Sequence, residues 1–165
     1  MKIAAIDTAH GVAIWGRILV VIWRGSPTRD AVAGMNQLAL EMIQADESPV
    51  CCMIIVEPSS QPPDDKARKE FARFSRDIVS RMSLAVIVTE GGGFRAALVR
   101  GVGVTLTTML PHKIPFKWFN DVSAGALALQ SYMPPRSGSS RALVRVVEEL
   151  KAKIADQATP ASTAR

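Results

Sequence analysis

His10, His112, the adjacent pair Cys51 and Cys52, and the run Gly91-Gly92-Gly93 are the residues of this chain with the most chemistry open to them. A catalytic histidine needs a nucleophile to deprotonate or a carboxylate to orient it. Neither histidine has a Ser, Cys or Asp at a spacing that belongs to a nucleophile motif, so no catalytic residue is assigned and the chain is not expected to be an enzyme. Cys51 and Cys52 sit inside the apolar run Val50-Cys51-Cys52-Met53-Ile54-Ile55-Val56, where consecutive strand side chains point to opposite faces. No further Cys or nearby His completes a ligand set, so the pair reads as small buried hydrophobes and no metal or cofactor is expected. Gly91, Gly92 and Gly93 precede Phe94-Arg95 at the start of an apolar segment, where free backbone N–H groups and a helix start attract anions. The run is neither G-x-x-x-x-G-K-[ST] nor G-x-G-x-x-G, and a flexible turn from strand to helix explains it as well.

The second source of chemistry is charge. The 165 residues hold 20 Lys and Arg against 15 Asp and Glu, a net +5. Residues 62–119 contain ten of the cations (Lys66, Arg68, Lys69, Arg73, Arg76, Arg81, Arg95, Arg100, Lys113 and Lys117) and only five anions, so the rest of the chain is neutral. A basic face here would suit acidic protein, lipid head groups or nucleic acid. Nucleic acid is disfavoured, because stacking needs exposed aromatics and the Phe residues fall on apolar stripes.

The elements that must carry these residues follow from periodicity. Short β-branched or aromatic runs at 2–7, 12–15 and 18–23, broken at His10-Gly11 and Gly16-Arg17, predict a three-stranded meander. Ser26-Pro27 opens a helix with a stripe of Val32, Met35, Leu38 and Met42. The run at 50–56 lacks polar alternation, which predicts a central strand covered on both faces. Asp64-Asp65 begins a second helix with Phe71, Phe74, Ile78 and Met82 buried and Lys66, Arg68, Lys69, Arg73 and Arg76 on the wet side. A strand over 83–89, a helix over 94–109, a strand over 116–119 and a helix over 122–132 follow. Residues 134–140 read as a linker. Leu143, Val147, Leu150 and Ile154 then make 141–156 an amphipathic helix, which either packs on its own domain or offers a partner-binding seam. Residues 157–165 read as a disordered tail.

The expected fold is α/β, with one mixed, mostly parallel sheet of five or six strands covered by helices. No uncharged apolar window reaches the roughly 20 residues of a membrane helix, and no cleavable leader pattern opens the chain, so a cytoplasmic location is expected.

Residues 50–60, the Ile87-Val88-Thr89-Glu90-Gly-rich-Phe94-Arg95 turn and the segment Phe116-Lys117-Trp118-Phe119-Asn120-Asp121 through Ala126-Leu127 carry a resemblance. Over roughly residues 1–133 the chain resembles the STAS-like (SpoIIAA-like) family, related to bacterial anti-sigma-factor antagonists. The resemblance implies a regulatory domain acting through a protein partner. It also places Ser59 and Ser60 in the loop where phosphorylatable members carry their serine, although Gln61-Pro62-Pro63-Asp64-Asp65 replaces the usual small, Gly-containing continuation. The reading is a non-enzymatic regulatory or scaffold domain, homodimeric, using the helices at 64–82 and 94–109 with the C-terminal helix as a second contact. The alternative is a binder of a small amphipathic ligand, a lipid or an anion, at Ser59, Ser60, Gly91, Gly92, Gly93 and Arg95.

Overall fold

The run at 50–56 is apolar at every position because strand β4 (Val50–Val56) has two cores, one on each face. A computed structural model describes residues 1–91, 115–133 and 138–158. The strands are β1 (Lys2–Ile6), β2 (His10–Trp15), β3 (Ile18–Trp23), β4, β5 (Met82–Thr89) and β6 (Phe116–Phe119). They form one six-stranded sheet in the order β1-β2-β3-β4-β5-β6. The first two pairings are antiparallel and the remaining three parallel, which is the mixed, mostly parallel sheet expected.

Helices α1 (Arg29–Ala45) and α2 (Asp65–Ile78) cover one face. Helices α3 (Val122–Ala128) and α4 (Ser140–Ala158) cover the other. Along β4, Cys51, Met53 and Ile55 enter the α3/α4 core while Val50 and Cys52 enter the α1/α2 core. The same alternation divides β3, with Ile18, Val20 and Ile22 on one side and Leu19, Val21 and Trp23 on the other.

Local chemistry starts each helix. Thr28 accepts from Ala31 N at the start of α1, Asp64 from Ala67 N at α2, Asp121 from Ala124 N at α3, and Ser139 from Ala142 N ahead of α4. The end of α1 is capped from outside. Arg17, in the β2–β3 turn opened by Gly16 at φ 58°, donates to the carbonyls of Met42 at 2.5 Å and Asp46 at 2.8 Å, and to that of Ser48. The carbonyls of Met42 and Asp46 belong to the helix end, which leaves its last carbonyls without partners, and a cation suits the negative end of the helix dipole.

Four expectations need correction. The first hairpin turn lies before His10: Asp7 Oδ1 accepts from the backbone N–H of both Ala9 and His10, closing the turn early, so His10 and Gly11 are strand residues paired with Trp23 and Ile22. Met82 leaves the α2 stripe, because α2 stops at Ile78, a 3-10 turn covers Val79–Arg81, and parallel pairing with Val50 draws Met82 into β5. The third concerns α4. Its stripe of Leu143, Val147, Leu150 and Ile154, with Val146, is buried in the sheet core, so it is spent within this domain and offers no seam to a partner. Each such side chain contributes about 1.5–3 kcal/mol of burial, more than an exposed seam could sacrifice. Ser139 belongs to the helix cap rather than to a linker, and helix α4 continues through Gln157 and Ala158, expected to be tail. The helix expected at 94–109 lies outside the described residues.

Candidate interaction surface and the carboxyl edge of the sheet

The parallel strands bring their carboxyl ends to one edge, where ligands of open α/β sheets commonly bind. Ser59, Ser60 and Gly91 meet there, together with residues the sequence spacing does not single out. Arg24, just past β3, donates from Nε to Glu57 Oε2 at 2.7 Å and from Nη2 to Glu57 Oε1 at 3.2 Å. The hydrogen bond to Glu57 raises the Arg24 guanidinium above its ordinary value, against the pull of burial. Lys151 reaches across from α4 to Glu90, with Nζ 2.5 Å and 2.6 Å from the two carboxylate oxygens. Lys151 O in turn accepts from Arg24 Nη2 at 3.5 Å. Two cations and two carboxylates thus balance one another across β3, β4, β5 and α4.

The serines serve as ties. Ser59 Oγ donates to Arg24 O at 2.8 Å and Ser60 Oγ to Gly25 O at 2.9 Å, so the loop after β4 is fastened to the end of β3. Ser60 is buried and Ser59 exposed. Gly91 has φ 87°, and a Cβ there would lie 3.3 Å from Pro58 Cγ, so this turn requires glycine for backbone and space. Gly92, Gly93, Arg95 and Arg100 lie outside the described residues. The described part of the expected anion site therefore consists of Gly91 and the two serines, whose hydroxyls are engaged with backbone carbonyls, beside charges already paired.

His10 is held in a structural setting. Its Nδ1 lies 2.9 Å from Asp7 Oδ2, and its ring stacks on Trp23 with centroids 5.4 Å apart. Trp23 also meets Phe71 in an edge-to-face contact, with centroids 6.1 Å apart. His112 lies outside the described residues. Both cysteines are free and buried, and burial pushes the Cys51 thiol up to about 11 and the Cys52 thiol higher still. Thiols held protonated in this way are poor nucleophiles and poor metal ligands. Among the described residues no cluster of three or more His, Cys, Asp or Glu could hold a metal ion.

The basic residues are where periodicity put them. Lys66, Arg68, Lys69, Arg73 and Arg76 are all exposed on α2, whose opposite side buries Ala67, Glu70, Phe74 and Ile78. Arg68 turns back to the helix start, donating to Pro63 O at 3.0 Å, with Asp65 at 3.7 Å. Arg73 lies 3.3 Å from Glu70 and 3.5 Å from Asp77. Asp77 also accepts from Asn36 Nδ2 at 2.8 Å, which joins α2 to α1. Lys66, Lys69 and Arg76 have no ion pair among the described residues. No helix among the described residues is long and apolar enough to cross a membrane.

No family model and no curated protein matches the chain. Among solved structures, it is similar to an uncharacterised protein of the DUF3478 family with a SpoIIAA-like fold from Shewanella loihica PV-4. The two are 15% identical with a TM-score of 0.47, over 68% of this chain and 85% of that one.

Proposed function

We propose that this chain is a non-enzymatic regulatory or scaffold domain that binds protein through the outer face of α1 and α2 and works as a homodimer. The observation that carries the reading is the row Lys66, Lys69, Arg73 and Arg76, exposed at three- and four-residue spacing on a helix anchored by its opposite side. A rigid helix holds these cations at defined separations, so an acidic protein surface of matching spacing is selected over a diffuse anion. The large hydrophobic side chains exposed among the described residues are Met1, Leu127 and Tyr132, none of them on α1 or α2. That face therefore has no anchor for insertion into a bilayer and no aromatic platform for stacking bases.

Affinity capture with the immobilised chain and with Lys69→Glu/Arg76→Glu tests the reading. Loss of bound protein by about tenfold or more in the charge-reversed variant, with an unchanged circular dichroism spectrum, is expected. Equal capture by both chains would reduce the row to ordinary solvated surface.

A further inference from the structure

The row on α2 has a counterpart beside it. On α1, Asp30, Gly34, Gln37 and Glu41 recur at four, three and four residues, and all four are exposed. They form a stripe of about the length of the basic one, carrying the opposite charge at both ends. Both helices run back from the carboxyl ends of parallel strands, so they are parallel to each other and share one face of the sheet. A two-fold axis running along the groove between them would lay the acidic stripe of each copy on the basic stripe of the other. Such a contact is isologous and closes at two chains.

Gly34 is the second observation. It lies mid-helix, where glycine is a poor choice, yet nothing among the described residues stands within 4 Å of a Cβ built on it. No packing among the described residues accounts for the missing side chain. An opposing helix approaching α1 at that point does.

We infer that the α1–α2 face is a self-complementary dimer interface, occupied by a second copy of this chain. The inference rests on the interaction-domain reading and names the partner for that surface. The contact is polar, so the dimer weakens as salt rises.

Sedimentation equilibrium of the full chain over a dilution series is the test, with two charge-reversed variants. Lys66→Glu/Lys69→Glu/Arg76→Glu leaves the α2 row net acidic beside the acidic stripe of α1, and Asp30→Lys/Glu41→Lys makes both stripes basic. Each alone is expected to dimerise at least about tenfold more weakly than wild type. Mixed in equal amounts they restore a dimer, because the acidic stripe of one meets the basic stripe of the other. Gly34→Leu, which puts a better helix former into open space, keeps the fold and weakens the dimer. A wild-type chain that stays monomeric overturns the second copy as occupant, while charge-dependent capture of another protein would still leave the interaction reading standing. Dimers unaffected by either variant overturn this face as the interface. A mixture that fails to associate overturns the pairing of the stripes.

Discussion

Gly11 lies directly beneath Ile154. A Cβ on Gly11 would stand 2.8 Å from Ile154 Cδ1 and 3.1 Å from Leu150 Cδ1, so the absence of a side chain on β2 is what lets α4 lie against the sheet. Gly11→Val is expected to destabilise the fold by about 1–3 kcal/mol through overpacking, and Ile154→Ala by about 2–5 kcal/mol through the cavity it leaves. In the double variant the two costs should not add, because the valine occupies part of the space the isoleucine vacates. Urea unfolding of the four proteins measures that coupling. Strict additivity would mean that the two residues do not meet.

Arg17 closes the end of α1 from a turn 25 residues upstream of Met42. Removing it strips the carbonyls of Met42, Asp46 and Ser48 of a charged donor. Arg17→Ala is expected to cost about 1–3 kcal/mol, and Arg17→Lys to recover only part of it, since an ammonium cannot spread donors over three carbonyls. Hydrogen exchange localises the effect. Amides in the last turn of α1 should lose protection before those of β4, and an even loss over the whole chain would refute the capping role.

Ser59 and Ser60 both donate to carbonyls at the end of β3, but only Ser60 is buried. Ser60→Ala leaves Gly25 O without that donor away from water and should cost about 1 kcal/mol or more. Ser59→Ala exposes Arg24 O to solvent, which replaces the hydroxyl, so its cost should be smaller. Thermal melts of the two variants decide the order, and a larger loss for Ser59→Ala would contradict the tie described here.

The Cys51 thiol is raised by burial from an ordinary 9.0 to about 11 in the folded chain. In this case the folded state holds the proton more tightly than the unfolded state. The stabilisation is complete below about pH 9 and is lost as the pH rises through 9 toward 11. Denaturation midpoints should therefore fall over that window and fall less in Cys51→Ala. A thiol-specific reagent at neutral pH should label neither cysteine in the native protein and both in urea. Labelling of the native protein at the rate of a free thiol would show that the strand opens.

Much of the architecture is legible without coordinates. The uninterrupted apolar run at 50–56 announces a strand covered on both faces, and the two cores on either side of β4 bear this out. The basic row on α2 is equally legible, since a helix with Phe74 and Ile78 inward leaves Lys66, Lys69 and Arg76 outward. Gly11 and His10 are harder to place. Glycine beside histidine resembles a turn, and only the side-chain bonds of Asp7 show that the chain has already turned.

Periodicity and local capping chemistry thus determine which segments are strands and helices and which side of each helix is wet, because these depend on neighbours three or four residues away. Tertiary structure alone decides that the stripe of α4 is spent in its own domain, that Lys151 meets Glu90 across 61 residues of sequence, and that the acidic stripe of α1 lies beside the basic stripe of α2. An apolar stripe has the same pattern whether a sheet or a partner covers it. Long-range charge pairs leave no spacing to read. Both are settled only when the sheet order brings distant segments to the same face.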